Sequence, residues 1–297
     1  MKNRLAKTSN SLWWESWRRF KKNKLGIACT IFIVIISVIS FLPGFFSPYS
    51  FEEQLEGKEL LPPGQEHLLG TDNLGRDLLS RLIYGGRVSL AVGVFTALIS
   101  LIMGVAYGAV SGWIGGRIDA LMMRAIDILY SIPSLVLLIL VKVIFDSLSL
   151  ITHPELKALM GILVALSLVG WVTLARVVRG QVLQEKEKLY VESARSLGDK
   201  GWRIVIRHIL PNILGPIIVL LTLQIPSNIL FESFLSFLGL GLQPPYSSWG
   251  VLAEEGWKSL RSYPHLMIAP GVAIFCTMMA FNLMGDGLRD AFDPKSR

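Results

Sequence analysis

A few polar side chains stand inside apolar runs of this 297-residue chain, where a polar group is costly unless it meets water or a partner. Gln224 and Asn228 lie one helical turn apart, with Pro226 between them. Such groups could line a path through the membrane and hydrogen-bond a passing solute, or they could bond a neighbouring helix. We predict the first role and keep the second as the alternative; the candidates are Gln224, Asn228, Glu232 and Asn282.

Three charged residues in these runs have simpler interpretations. Asp127 follows Arg124 by three residues, and the two are expected to pair near one end of their run. Lys142 and Glu232 are predicted to lie near the outer ends of their apolar runs, where a long side chain can extend its charge to the membrane surface.

The segment from Tyr190 to Asn212 is polar and basic, and it separates two apolar runs. Glycine is favoured just past the end of a helix and aspartate is a favoured N-cap, so two short helices broken at Gly198-Asp199 are predicted. Pro211 is expected to mark the start of the next apolar run.

The second of these helices is amphipathic. Trp202, Val205, Ile206 and Ile209 are predicted to share one face, with Arg203 and Arg207 on another. A compact helical knob of this kind, residues 187–211, suits docking to a soluble partner.

The sequence offers no catalytic or metal-binding arrangement. The four histidines (His67, His153, His208, His265) are scattered, and Gly239-Leu-Gly-Leu lacks the third glycine of a dinucleotide turn. A Gly-x-x-x-x-Gly-Lys-Ser/Thr phosphate loop is missing, so ATP cannot be bound in that way. We therefore expect a non-enzymatic chain with no catalytic residue, no metal and no cofactor of its own.

Composition places the chain in a membrane. Hydrophobic residues make up 52% and charged residues 17%, whereas soluble domains have about 45–50% and about 25%. The net charge of +7 could indicate nucleic-acid binding, but the basic residues flank apolar runs, which argues against it. Six runs reach the length of about 20 residues that a span needs: 25–46, 88–111, 119–145, 157–178, 212–236 and 266–288. The prediction is an all-α polytopic protein with six transmembrane helices, the third kinked, tilted or shortened by Pro133.

Basic residues set the orientation. Eight precede the first span and seven fall in 179–211, whereas 146–156 has none and 237–265 has two. Cytoplasmic loops carry the basic excess. Both termini and the knob, between spans four and five, are therefore predicted to be cytoplasmic.

This orientation divides the chain into five parts. Residues 1–24 form a cytoplasmic amphipathic segment with Trp13, Trp17 and Phe20 on one face, or else a simple basic anchor. Residues 25–46 are the first span, 47–87 an external segment, 88–290 the five-helix core, and 291–297 a cytoplasmic tail.

Two further patterns predict packing. Gly104, Gly108 and Gly112 recur every four residues, continuing to Gly116, and form a small-residue ridge for another helix of this chain or for a partner. On the outer side, a half-buried salt-bridged turn is predicted from Asp72, Arg76, Asp77, Arg81 and Arg87.

In the loop 237–264, the glycines and prolines forbid a continuous helix. Trp249, Trp257 and Tyr263 suit the outer membrane interface.

Glu192-Ser-Ala194, Gly198 and His208-Ile-Leu-Pro211 together resemble the "EAA" loop of ABC importer permeases, with Ser193 and His208 as departures. The stretches 69–87, 124–133 and 282–294 resemble the C-type permease of dipeptide, oligopeptide and nickel importers. The resemblance implies an interface that couples the knob to an ATPase, made of Glu192, Ala194, Arg195, Gly198, Asp199, Trp202, Arg203, Ile206 and Pro211.

The same resemblance implies an assembly in the cytoplasmic membrane of a prokaryote. It would contain this chain, a second (B-type) permease, two ATPase subunits that hold ATP and Mg, and an external substrate-binding protein, and it would carry di- or oligopeptides by alternating access. A nickel or other small-solute importer is one alternative. A self-sufficient secondary transporter or channel is another, although no inverted repeat is evident.

Overall fold

The computed structural model describes residues 11–148 and 151–292, and that part of the chain is helical without strands. Within these residues, five helices are long and apolar enough to cross a membrane: α2 (Lys24–Phe41), α4 (Leu78–Ile114), α7 (Pro154–Lys186), the helix Gly201–Leu240 and α12 (His265–Phe292). The bent pair α5 (Gly116–Ser131) and α6 (Ser134–Ser147) makes a sixth if it is counted as one span. The all-α, multi-span prediction is confirmed at this level.

The helix Gly201–Leu240, called the fifth span below, is a composite. It comprises α9 (Gly201–Ile204), a π-helical turn (Val205–Ile209), α10 (Leu210–Leu235) and a second π-helical turn (Ser236–Leu240). The remaining helices are α1 (Ser11–Phe20), α3 (Pro43–Phe46), α8 (Leu189–Ser196) and α11 (Trp249–Lys258). Residues 1–10 and 293–297, and with them three of the eight basic residues that precede the first span and most of the predicted tail, lie outside the described residues.

Prolines and caps shift several predicted boundaries. The first span ends at Phe41 rather than at 46, because Pro43 cannot continue the helical hydrogen bonds. The second begins at Leu78, ten residues before the apolar run at 88, where the side chain of Asp77 accepts a hydrogen bond from Ser80 N–H. A kink at Pro133 was one of the three predicted possibilities for the third span, and it is observed: the bend between α5 and α6 is 90°.

Pro211 lies one residue inside the start of α10, so the apolar helix begins where predicted, but no helix ends there. The helix runs through this residue from Gly201, and Leu210 N–H bonds the carbonyl of Val205 in the wide turn just before it. A proline ring clashes with the carbonyl four residues earlier, which here is Arg207 in the π turn. The widened turn relieves that clash, so the second helix of the knob and the fifth span are one continuous helix.

The glycine ridge of α4 lies against α7 within this chain. A Cβ atom at Gly104 would lie 2.6 Å from Cβ of Leu174, one at Gly112 would lie 2.9 Å from the carbonyl oxygen of Arg179, and one at Gly108 would overlap the carbonyl of Ala175. Only glycine allows the two backbones to come this close. Gly116 lies outside the ridge, because it has a positive φ of 59° and a Cβ atom added there would meet nothing within 4 Å.

The segment between α3 and α4 contains a buried charge cluster. Asp72 accepts hydrogen bonds of 2.7 Å from both Arg76 and Arg81, and Arg81 also pairs with Glu255 of α11. His67 Nδ1 lies 2.9 Å from an oxygen of Asp77. The turn that was predicted to be half-buried is therefore buried. The participation of Glu255 was not predicted, and Arg87 is exposed and lies outside the cluster.

The aromatic residues of the 237–264 loop do not all lie at a surface. Trp249 is buried, with its indole N–H donating to the carbonyl of Leu82, so its predicted interfacial position is wrong. Trp257 is exposed, and its position at the membrane interface stays a prediction. The loop folds over the start of α4 because α11 begins at Trp249, where Ser248 caps the helix by accepting from Val251 N–H.

Candidate functional site

The knob is broken by a tight glycine turn. Gly198 has φ of +85°, Gly198 N–H bonds the carbonyl of Arg195, and Asp199 N–H bonds the carbonyl of Ala194. This is the Schellman arrangement that ends a helix with a left-handed residue. The break is confirmed, but the predicted cap is off by one residue, because Lys200 holds the N-cap position of α9.

Apolar residues hold the knob against α7. Val191 and Ala194 of α8 join Ile204, Val205 and Ile209 in one buried cluster that also contains Val178 and Val182. The predicted common face of the second helix is therefore only half correct: Val205 and Ile209 are buried, whereas Trp202 and Ile206 are exposed. The π turn explains the error, because its wider spacing rotates residues away from the 3.6-residue pattern.

Trp202 and Ile206 face an apolar groove of about 670 Å³ between the fifth span and the last turns of α4. Trp113 stands at this groove and anchors the knob. The guanidinium of Arg195 lies 4.7 Å from its ring centroid, and Lys186 donates a hydrogen bond to its carbonyl. These contacts fix the orientation of α8 relative to α4.

Ion pairs and a hydrogen bond within the knob stabilise the glycine turn and the end of α7. The carboxylate of Asp199 lies 3.6 Å from both Arg203 and His208. Tyr190 donates a 2.6 Å hydrogen bond to Glu185 at the end of α7. Burial, and then this hydrogen bond, raise the pKa of Tyr190 to about 12, so its hydroxyl remains a donor at physiological pH.

The outward surface of the knob is partly apolar. Glu192 and Arg195 are exposed, and Leu189 and Leu197 are exposed by 80% and 86% of their surface. Sequence reasoning missed both leucines. The available signal is their spacing: with Ser193 between them they recur every four residues, on the face of α8 opposite Val191 and Ala194. Large exposed apolar side chains beside charges are typical of a protein contact.

The second feature is a cavity of about 580 Å³ at the bend of the third span. It lies between α5, α6, α7 and α10, beside Pro133 and Gly170. Its polar lining groups are uncharged: the hydroxyls of Tyr130, Ser134, Thr173 and Ser227 and the amide of Gln224. An apolar wall with a few uncharged hydrogen-bonding groups is suited to a neutral, amide-containing body.

The four predicted pore-lining residues are not brought together. Gln224 lines the cavity. Asn228 is buried, and its side-chain amide donates a hydrogen bond to the carbonyl of Gly93 on α4, which is the predicted alternative of bonding a neighbouring helix. The side-chain nitrogen of Gln224 lies 3.4 Å from the side-chain oxygen of Asn228. Asn282 is exposed on α12 and lies outside the cavity lining.

Glu232 is enclosed rather than extended to a surface. Its carboxylate accepts hydrogen bonds of 3.0 Å from Ser89 and 2.9 Å from Ser236. Lys142 is also buried, with its ammonium 2.5 Å from Asp146. The predicted extension of both side chains to the membrane surface is wrong, since Glu232 bonds buried serines and the buried Lys142 bonds a partly exposed Asp146.

Asp127 does not pair with Arg124 as predicted. Its partner is Arg176 of α7, whose Nη2 lies 2.7 Å from Oδ1 of Asp127. The guanidinium of Arg176 also stacks on the ring of Tyr130, 4.3 Å from the centroid. In the described residues, no group of three or more His, Cys, Asp or Glu side chains is arranged to hold a metal ion.

Comparison with known proteins gives two family matches, which cover residues 11–63 and 104–297. Residues 104–297 match the family described as binding-protein-dependent transport system inner membrane component. Residues 11–63 match the N-terminal TM domain of oligopeptide transport permease C.

Individual relatives match over nearly the full chain. The dipeptide transport system permease protein DppC of Bacillus subtilis (strain 168) is 46% identical over 284 residues, 95% of this chain and 86% of the relative. The oligopeptide transport system permease protein OppC of the same organism is 42% identical, over 99% of this chain and 93% of the relative. Among solved structures, an inward-facing MetNI methionine ABC transporter gives a TM-score of 0.59 at 16% identity, over 73% of this chain and 98% of the other, which shows a shared fold.

Proposed function

The chain belongs to the family of binding-protein-dependent transport system inner membrane components, and we propose that it is a permease subunit of an ATP-driven importer of di- or oligopeptides. The sequence resemblance to the C-type permeases is consistent with the relatives named above. In this proposal the chain supplies half of the translocation path and does no chemistry itself.

The partners follow from the same proposal. A B-type permease completes the path, two ATPase subunits bind ATP and Mg, and an external binding protein delivers the peptide. The termini and the knob face the cytoplasm of a prokaryote, since the basic residues favour that side. The ATPase contacts the knob at Glu192 and Arg195, with the exposed Leu189 and Leu197 adding apolar area.

One observation carries the mechanism: the second helix of the knob and a wall of the cavity belong to the same continuous helix. The fifth span begins at Gly201 in the knob and reaches the cavity at Leu220, Leu223 and Gln224. When ATP closes the two ATPase subunits, the knob moves with them, and a helix without a break carries that movement to the cavity. The bend at Pro133 forms the opposite wall, and alternating access results from the change in distance between the two walls.

The test is to separate ATP hydrolysis from transport. The complete importer is reconstituted in liposomes, and peptide uptake and ATP hydrolysis are measured for wild type and Gly198→Val. A β-branched residue is strained at φ of +85°, so the turn should distort and the uptake per ATP should fall at least about tenfold.

Gly180→Val is the matched control. Gly180 lies in α7, and as at Gly198 no atom lies within 4 Å of its Cβ position, but its φ is not positive. This control should keep the wild-type ratio of uptake to hydrolysis. An unchanged ratio in Gly198→Val would contradict the docking role of the knob, and a wild-type complex that takes up no peptide would contradict the proposed function itself.

A further inference from the structure

A charged pair stands at the edge of the uncharged cavity. Asp127 is three residues before Tyr130 on α5, and Arg176 is three residues after Thr173 on α7, and both Tyr130 and Thr173 line the cavity. The Tyr130 hydroxyl lies 2.8 Å from Oγ1 of Thr173. The pair and the cavity wall are therefore one continuous surface.

A hydrocarbon core centred on α7 would contain this pair, whose side chains are nevertheless exposed. Arg176 is six residues from the midpoint of the 33-residue α7, which places it about 9 Å from that midpoint at 1.5 Å per residue. A hydrocarbon core of about 30 Å centred on α7 would include it. The side chains of Arg176 and Asp127 are 40% and 66% exposed. Charges at this depth face protein or water rather than lipid, and the cavity beside the pair offers such a surface.

The hydrogen-bonding capacity of the pair is mostly free. A guanidinium has five N–H donors and a carboxylate two acceptor oxygens. Within the described residues, Arg176 uses one donor, from Nη2 to Asp127, and Asp127 accepts only through Oδ1. The stacked Tyr130 ring holds the guanidinium in place without occupying its donors. A ligand can thus bond both partners without first separating them.

We infer that Arg176 and Asp127 contact the transported peptide and recognise its two charged ends, Arg176 binding the terminal carboxylate and Asp127 the terminal ammonium. This inference rests on the proposed function. Arginine presents parallel donors that fit a carboxylate, and the neighbouring cavity accommodates the neutral amide body. A solute carrying both charges matches the pair, whereas one blocked at either end leaves one partner unmatched.

The test uses the complete reconstituted importer, with the binding protein saturated by each probe. Alanine peptides of two to five residues identify the length that wild type transports fastest. That peptide is then compared with its N-acetyl and its C-terminal amide derivatives in wild type, Arg176→Gln and Asp127→Asn. Each result is the ratio of variant to wild-type uptake for the same probe, so the preference of the binding protein cancels.

Arg176→Gln should lower uptake of the free peptide about tenfold and leave uptake of the amide close to wild type. Asp127→Asn should likewise lower uptake of the free peptide and leave uptake of the N-acetyl peptide close to wild type. Arg176→Lys, which keeps the charge, should recover part of the loss. Arg124→Gln is the control, since Arg124 is an arginine on the helix of Asp127 but outside the pair, and its ratios should be the same for all three probes.

A uniform loss in Arg176→Gln for all three probes would overturn the inference, because it would mean that the pair only holds α5 to α7. Unchanged uptake of every probe would overturn it as well. Either outcome leaves the proposed function intact as long as wild type transports the free peptide.

Discussion

Two aspartate–arginine pairs join the same two helices, α5 and α7, and they differ in how fully they are enclosed. Arg179 bonds both oxygens of Asp119 at 2.5 Å, and Ser111 of α4 donates a further hydrogen bond to the same carboxylate. Arg176 makes a single bond to Asp127. The side chain of Asp119 is 11% exposed and that of Asp127 is 66% exposed.

The difference shows that an ion pair's surroundings, not its chemistry, decide what it does. In the Asp119 pair, donors from two other helices satisfy the carboxylate, so it fixes the position of α5 against α4 and α7. In the Asp127 pair, most hydrogen-bonding positions remain open beside a cavity. An enclosed pair is costly to break because its remaining charge stays desolvated, whereas an exposed pair is worth little to stability.

The largest expected effect comes from breaking the enclosed pair. Asp119→Ala leaves Arg179 without its carboxylate in a site that is partly desolvated, and we expect a loss of about 3 kcal/mol in the free energy of unfolding. Thermal unfolding of the purified complex in detergent measures it. A loss under about 1 kcal/mol would show that the pair is not more than a surface contact.

A double variant sharpens this result. Asp119→Leu combined with Arg179→Met removes both charges and keeps apolar volume, so at least about half of the lost stability should return. If the double variant is no more stable than Asp119→Ala, the loss stems from packing and not from the unpaired charge.

The next effect tests whether the enclosed pair depends on the close contact of α4 and α7. Gly108 is one turn before Ser111, and a Cβ at this position overlaps the carbonyl of Ala175. Gly108→Val should separate the helices and lower the free energy of unfolding by about 2 kcal/mol. Gly271→Val, where nothing lies within 4 Å of the Cβ position, should change it by less than about 0.5 kcal/mol; equal losses in the two variants would refute the role of the ridge.

A smaller effect is expected at the exposed pair. Asp127→Asn keeps shape and removes the charge, and the unfolding transition should shift by no more than about 0.5 kcal/mol, because the pair is solvated. The same thermal unfolding assay measures it beside Asp119→Asn. Similar losses in the two asparagine variants would mean that the two pairs are energetically alike and would remove the distinction drawn above.

The smallest effect is expected at Tyr130. Tyr130→Phe keeps the ring under Arg176 and removes only the hydroxyl contact with Thr173, so peptide uptake should stay within about twofold of wild type. Tyr130→Leu removes the ring as well and should lower uptake more. Equal uptake by the two variants would show that the stacking of Arg176 on the ring contributes nothing.

Much of the knob could be predicted from the sequence, because its signals are local. A glycine that follows a helix, with a polar residue behind it, predicts a break within a few residues, and Gly198 lies at that break. The faces of the second helix could not be predicted, since the π turn at Val205–Ile209 changes the spacing. The leucines at 189 and 197 were missed because two exposed apolar residues resemble ordinary core positions in a sequence.

The candidate site around the cavity was less predictable. Gln224 could be found as a polar residue in an apolar run, but Asn228 and Glu232 have the same signal and are enclosed by Gly93, Ser89 and Ser236. A sequence pattern identifies a polar residue that needs a partner. It does not identify partners such as Gly93 and Ser89, which lie more than a hundred positions away.

The sequence by itself determined the membrane class, the number of apolar runs, the bend at Pro133 and the knob's glycine turn, because these depend on composition and on neighbours a few residues apart. Only the tertiary structure decided which aspartate pairs with which arginine, that Trp249 is buried, and that Glu232 is enclosed by serines. The physical reason is separation along the chain. Arg176 and Asp127 are 49 residues apart and Arg179 and Asp119 are 60 apart, so each pairing exists only once α5 and α7 have packed side by side.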